Sequence, residues 1–196
     1  MSRLAATGNA HHWQLQRPLF SLLGARCRIL DEHDNLVLFA KRRALRLRER
    51  IEVFEDEGET QPALHIRTES ILDLGATYVV TDSRSGEGVG MARRRFMKSM
   101  LRDHWDLLDA GGNPLGEAQE DSMALALLRR LVADIVPQRF HVSVGGRPVA
   151  ELHQRWNPFL FRADLRMEAG ADALLDPRLL LGLAVLLMVI EGRQDG

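Results

Sequence analysis

A single cysteine, Cys27, rules out an internal disulfide and fits a reducing compartment. No apolar run reaches the roughly 20 residues that a membrane-spanning helix needs. Met1 to Gln16 lacks an apolar core followed by a cleavage site, so no secretory leader is expected and the cytoplasm is the expected compartment. A net charge of −1 argues against a generally basic nucleic-acid binder. Signatures of chemistry are missing too. There is no Ser-centred elbow, P-loop or dinucleotide glycine pattern. The glycine-rich Gly86-Glu87-Gly88-Val89-Gly90 lies in a hairpin, with no helix behind it to receive a phosphate. His11 and His12 are the only histidines close in sequence, and Cys27 reads as a small hydrophobe in a strand. No catalytic residue, metal ligand or cofactor is therefore expected, and the chain is expected not to be an enzyme.

What is present begins at the C-terminus. Asp176 and Pro177 suit the cap and first position of a helix, and Gly192 suits its end. From Leu179 to Ile190 there is no polar side chain. A helix apolar on every side must be surrounded. Leu179, Leu180, Leu183, Val185, Leu186, Leu187, Met188, Val189 and Ile190 are thus assigned to a structural core helix.

Upstream, one pattern recurs: a strand, turn residues, a second strand. It occurs as 27–30 with 36–39, 51–54 with 63–66, 77–81 with 89–92, 105–108 with 115–118, and 140–144 with 149–152. Phe159 to Met167 adds a strand, and Pro18 to Leu23 is a further candidate. The fold class is mainly β. Roughly 12 strands suggest a closed antiparallel barrel, and a barrel that wide needs a filler. The C-terminal helix fits its lumen. Small residues after the turns, Gly90, Gly116 and Ala150, with Ala92 and Ala118, are expected to face that helix. A further helix is expected near 122–133, across a barrel mouth, and Trp156-Asn157-Pro158-Phe159 is expected to form a bend. Residues 1–16 read as a loose tail and 17–194 as one domain.

Thr77-Tyr78-Val79-Val80-Thr81-Asp82, the run Glu120 to Leu125 into Leu127-Leu128-Arg129-Arg130, Asn157-Pro158-Phe159, and the closing Asp176-to-Arg193 helix resemble the LURP-one-related family. That family belongs with the tubby C-terminal domain and the phospholipid scramblases. The resemblance spans roughly residues 18 to 194 and implies a twelve-stranded barrel around a hydrophobic helix. Tubby-like domains bind phosphoinositides, scramblases are associated with calcium and lipid movement, and LURP-one-related proteins are linked to plant defence. No tubby lipid-binding residue maps onto this chain. Glu168 to Ala173 also departs from the scramblase acidic segment, so calcium is not implied.

The charge pattern supplies the candidate site. Lys41, Arg42, Arg43, Arg46 and Arg48, with Arg93, Arg94, Arg95 and Lys98, fall at the far ends of hairpins whose turns are acidic. With strands running up and down, one barrel end is negative and the other positive. The basic end is a candidate surface for anionic membrane lipids, met peripherally. A solvated charged face is the competing reading. Few aromatic rings lie near these cations, which disfavours nucleic acid. A protein-interaction scaffold is the alternative function; scramblase-like lipid handling or a small-molecule carrier is another.

Overall fold

The computed structural model describes residues 12–18, 25–42, 50–72, 75–95, 103–121, 138–155, 157 and 160–190. The strands are β1 (His12–Pro18), β2 (Arg26–Leu30), β3 (Leu36–Arg42), β4 (Arg50–Phe54), β5 (Pro62–Leu72) and β6 (Gly75–Asp82). They continue as β7 (Gly88–Arg95), β8 (His104–Leu108), β9 (Pro114–Glu120), β10 (Arg139–Val144), β11 (Arg147–Arg155) and β12 (Leu160–Met167). A short 3-10 turn, Ala171–Ala173, leads into helix α1 (Pro177–Ile190). Each strand pairs antiparallel with its sequence neighbours, and β1 pairs with β12 to close the barrel.

Alternation builds the wall. On β2, Cys27 and Ile29 are buried while Arg26 and Arg28 are exposed; on β10, Phe140 and Val142 are buried while Arg139 and His141 are exposed. The inward residues form one cluster with the helix. Every residue from Leu179 to Val189 is buried, as a lumenal helix requires. Ile190 ends the helix, and nothing further is described of its side chain. At about 10–12 Å across, a helix fills a lumen that twelve strands' own side chains would leave open.

The start of α1 follows its expected caps. Leu179 and Leu180 donate to the Asp176 carbonyl, and the Arg178 N–H donates to Asp176 Oδ1 at 2.8 Å. The Arg178 guanidinium then reaches Asp82 Oδ2 at 3.1 Å, which ties the helix to the β6–β7 turn.

Gly90 does face the helix: a Cβ there would sit 2.7 Å from Leu179 Cδ2 and from the Leu108 carbonyl. Ala92, Ala118 and Ala150 lie in the same core. Gly116 is different. Its added Cβ would strike the Ser143 carbonyl of the neighbouring strand, so strand packing rather than the helix keeps it small.

One sequence expectation needs correction. Residues 12–16 are not a loose tail, because His12–Pro18 is a full strand, paired on both sides, with Trp13 and Leu15 fully buried. Of the candidate strand Pro18 to Leu23, Pro18 is the last residue of β1, and the rest lies outside the described residues. The helix expected near 122–133 also lies outside them, as do Trp156, Pro158 and Phe159. Asn157 Oδ1 accepts the Leu160 N–H at 3.0 Å, the kind of bond that sets a bend before a strand.

Candidate functional site

With consecutive strands antiparallel all round, every tight turn of the five hairpins lies at one end of the barrel, and the other end carries the opposite strand termini. At the turn end, carboxylates organise backbone. Asp31 Oδ1 accepts from the N–H of His33 and Asn35, both at 2.8 Å. Asp109 Oδ1 accepts from Gly111 at 2.9 Å and Asn113 at 2.8 Å. Asp56 does the same for Thr60 and Gln61, and Asp82 for Arg84 and Ser85. These oxygens are engaged in local turns rather than gathered around a common centre.

The opposite end is basic. Lys41 and Arg42 close β3, and Arg93, Arg94 and Arg95 close β7. Arg43, Arg46, Arg48 and Lys98 lie outside the described residues. The two described groups share an end but are not adjacent, because β4, β5 and β6 stand between them. At about 4.8 Å per strand, the gap is roughly 19 Å.

Alternation also splits each group. Lys41 points outward and holds Glu59 at 2.6 Å, while Arg42 follows inward-facing Ala40. Arg93 and Arg95 point outward; Arg93 reaches Thr77 Oγ1 at 3.4 Å and Arg95 reaches Asp106 at 2.7 Å. Arg94 follows inward-facing Ala92, pairs with Asp103 at 2.7 Å and lies 5.9 Å from the Trp105 ring. Arg94 is thus a wall residue rather than a free surface charge.

Three further arginines extend this basic end: Arg50 and Arg67 stand within the gap, on β4 and β5, and Arg26 stands beyond β3, on β2. Arg26 on β2 stands opposite Lys41. Arg50 on β4 stands opposite Arg67 on β5, two like charges face to face, an arrangement unfavourable in a sheet. Arg50 Nε donates to His65 Nε2 at 2.6 Å, and burial together with Arg50 holds the His65 pKa below its usual value, so the ring is a neutral acceptor. Arg26, Lys41, Arg50, Arg67 and Arg93 therefore form an outward cationic band across five of the six strands β2 to β7. Arg26 and Arg67 have no ion-pair partner among the described residues. A groove of about 490 Å³ runs beside the band, lined by Arg50, Glu52, His65, Thr81 and Asp82 among others.

Other reactive groups are quiet. Burial pushes the Cys27 thiol up to about 12, which keeps it neutral and unreactive. His12 lies 3.5 Å from Asp164, His104 3.4 Å from Glu117 and His141 3.5 Å from Asp121, as separate pairs on the outer wall. Among the described residues no helix is long and apolar enough to cross a membrane.

No curated protein sequence matches the chain. The family model described as LURP-one-related matches residues 12–188, which takes in all twelve strands and nearly the whole of α1. A barrel closed by its first strand and filled by its last helix is what that match covers, and the chain belongs to the LURP-one-related family.

Proposed function

We propose that this domain is a non-enzymatic, peripheral binder of anionic phospholipid surfaces, working at the cytoplasmic face and docking by its basic end. The outward cationic band is the observation that carries this reading. Unpaired Arg26 and Arg67, with Arg93, supply its core, and the acidic turns at the other end would keep the barrel oriented. Each cation near an anionic surface contributes about 1 kcal/mol. Lys41 and Arg95 contribute less, because Glu59 and Asp106 already neutralise them. Three to five cations then give about 3–5 kcal/mol, equivalent to a dissociation constant of about a millimolar. Attachment of that strength is reversible and sensitive to salt, and the band steers rather than anchors.

Co-sedimentation tests it. The protein is expected to pellet with vesicles containing phosphatidylserine at low salt, to stay in solution with neutral phosphatidylcholine vesicles, and to be released at about 0.5 M salt, where the Debye length falls well below its ~10 Å at 0.1 M. Arg26→Glu/Arg67→Glu/Arg93→Glu removes outward charge without touching the inner wall. Equal binding by this variant and the unmodified protein would sink the reading.

A further inference from the structure

Within the outward band, one arrangement is disfavoured by the sheet itself. Arg50 on β4 and Arg67 on β5 stand directly opposite each other on the outer face. Like charges so placed destabilise a sheet. Arg50 Nε meets the Glu52 carboxylate at 3.9 Å, the loose limit of an ion pair. Arg67 has no ion-pair partner among the described residues, and exposed Glu69, two positions further on, pairs with neither arginine. Two guanidinium groups and one loosely held carboxylate leave a surplus of positive charge.

Beside the two arginines is a histidine that they keep neutral. His65 lies two positions before Arg67, on the same face, and its Nε2 accepts from Arg50 Nε at 2.6 Å. It faces Glu52 on β4 and Thr81 on β6, with Asp82 in the same groove. Asp82 is held by Arg178, and Glu59, which also lines the groove, is held by Lys41. Burial, together with Arg50 and Arg67, keeps the ring below its usual pKa, against the opposing charge of Glu52. An anion set against the two guanidinium groups would reverse that field and favour the protonated ring. A protonated ring cannot accept from Arg50, so the bond between them opens and both become donors.

We propose that Arg50, Arg67 and His65 form a binding site for a terminal phosphate, with His65 taking up a proton as the phosphate seats. A terminal phosphate offers three free oxygens and up to two negative charges, and two guanidinium forks with one ring N–H supply donors to all three. A phosphodiester or a carboxylate has two free oxygens and one charge, and leaves a donor group without a partner. The groove of about 490 Å³ that Arg50 and His65 line gives the ligand room. The inference deepens the membrane reading of the same band and rests on it for a lipid headgroup as the source; a soluble phosphomonoester is the other source of the same chemistry.

Two measurements on the full chain at pH 7 test this. The first is co-sedimentation with phosphatidylcholine vesicles that carry either phosphatidic acid, a phosphomonoester, or phosphatidylserine, a diester, at matched surface charge. The second is isothermal titration with glycerol 3-phosphate. Binding to phosphatidic acid is expected to be about tenfold tighter than to phosphatidylserine, the gain of about one charge-assisted contact. Arg50→Gln and Arg67→Gln should each remove that preference and weaken glycerol 3-phosphate about tenfold, while exposed Arg166→Gln changes neither. Relief of the like-charge contact should leave the melting temperatures of the two glutamine variants at or above that of the unmodified protein, so lost binding is not lost fold. Titrations in two buffers of different ionisation enthalpy should show the unmodified protein taking up more protons than His65→Gln. Equal binding to the two vesicles, with phosphatidylserine binding still sensitive to salt, overturns this inference and leaves the membrane reading standing. Equal proton uptake by His65→Gln overturns it as well. Glycerol 3-phosphate bound with the same dependence on the three residues, but no binding to either vesicle, supports the site, assigns it to a soluble phosphomonoester and sinks the membrane reading instead. Binding to none of the three probes overturns the proposal.

Discussion

Asp31, Asp56, Asp82 and Asp109 each begin a turn and draw several backbone N–H groups onto one carboxylate. All four are held below the usual carboxylate range. For Asp109 the largest cause is the Asn113 side-chain amide, followed by the Asn113 N–H; for the other three, loss of water opposes the shift and the turn N–H groups outweigh it. A depressed folded pKa contributes stability that is complete above the unfolded value, near 4, and is lost as pH falls through the folded value. Urea midpoints are therefore expected to hold steady from pH 7 to 5 and to fall below pH 4. Asp109→Asn, which cannot titrate, should narrow the gap between the pH 7 and pH 3 midpoints; an unchanged gap would assign the acid sensitivity elsewhere. These turns were legible in the sequence because their partners lie within five residues. Arg26 and Arg67 were not, because only register across strands brings scattered cations into one band. Arg94 was misleading for the same reason: it sits between two surface arginines, and the alternation that exposes them turns it inward.

At the scale of elements, the helix decides which small residues the wall can hold. Gly182 lies against Val80, where a Cβ would come 2.9 Å from Cγ2, and Gly90 lies against Leu179. Alanine is better than glycine in a helix by about 1 kcal/mol, yet a clash with a packed core residue costs about 1–3 kcal/mol, so the clash prevails. Gly182→Ala is expected to lower the melting temperature, and Val80→Ala added to it should restore part of the loss, because the second change empties the space that the first one needs. A double variant no better than the sum of the single changes would mean that the helix shifts instead. Gly90→Ala should be costlier, since it meets a backbone carbonyl and Leu179 at once, at a φ of 156° that side chains rarely adopt. The helix itself was readable from its caps and unbroken apolar run, and the five hairpins from their turns. β1 was missed although Trp13, Leu15 and Arg17 alternate clearly with Gln14 and Gln16. Its partner β12 lies at the other end of the chain, and no turn announces that pairing.

For the whole molecule, closure and charge have one geometry. α1 enters from the acidic turn end, where Asp176 caps it, and ends toward the basic mouth. Negative groups at the start of a helix and positive groups at its end each stabilise it by about 0.3–1 kcal/mol, so the segregated charges support the fold whatever else they bind. Closure rests on β1, which pairs with β12 on one side and β2 on the other. Removing residues 1–18 would free the edges of β2 and β12 and delete Trp13 and Leu15 from the core. Truncating such buried residues costs about 2–5 kcal/mol each, a large share of the 5–15 kcal/mol that typically holds a domain together. Two open strand edges also invite pairing with other chains. The chain starting at Leu19 is therefore expected to show weakened near-ultraviolet circular dichroism and a broad melt, and to form concentration-dependent oligomers in light scattering. A truncated chain that stayed monomeric and melted as sharply as the full one would mean that eleven strands and the helix suffice, and that β1 covers a barrel it does not close.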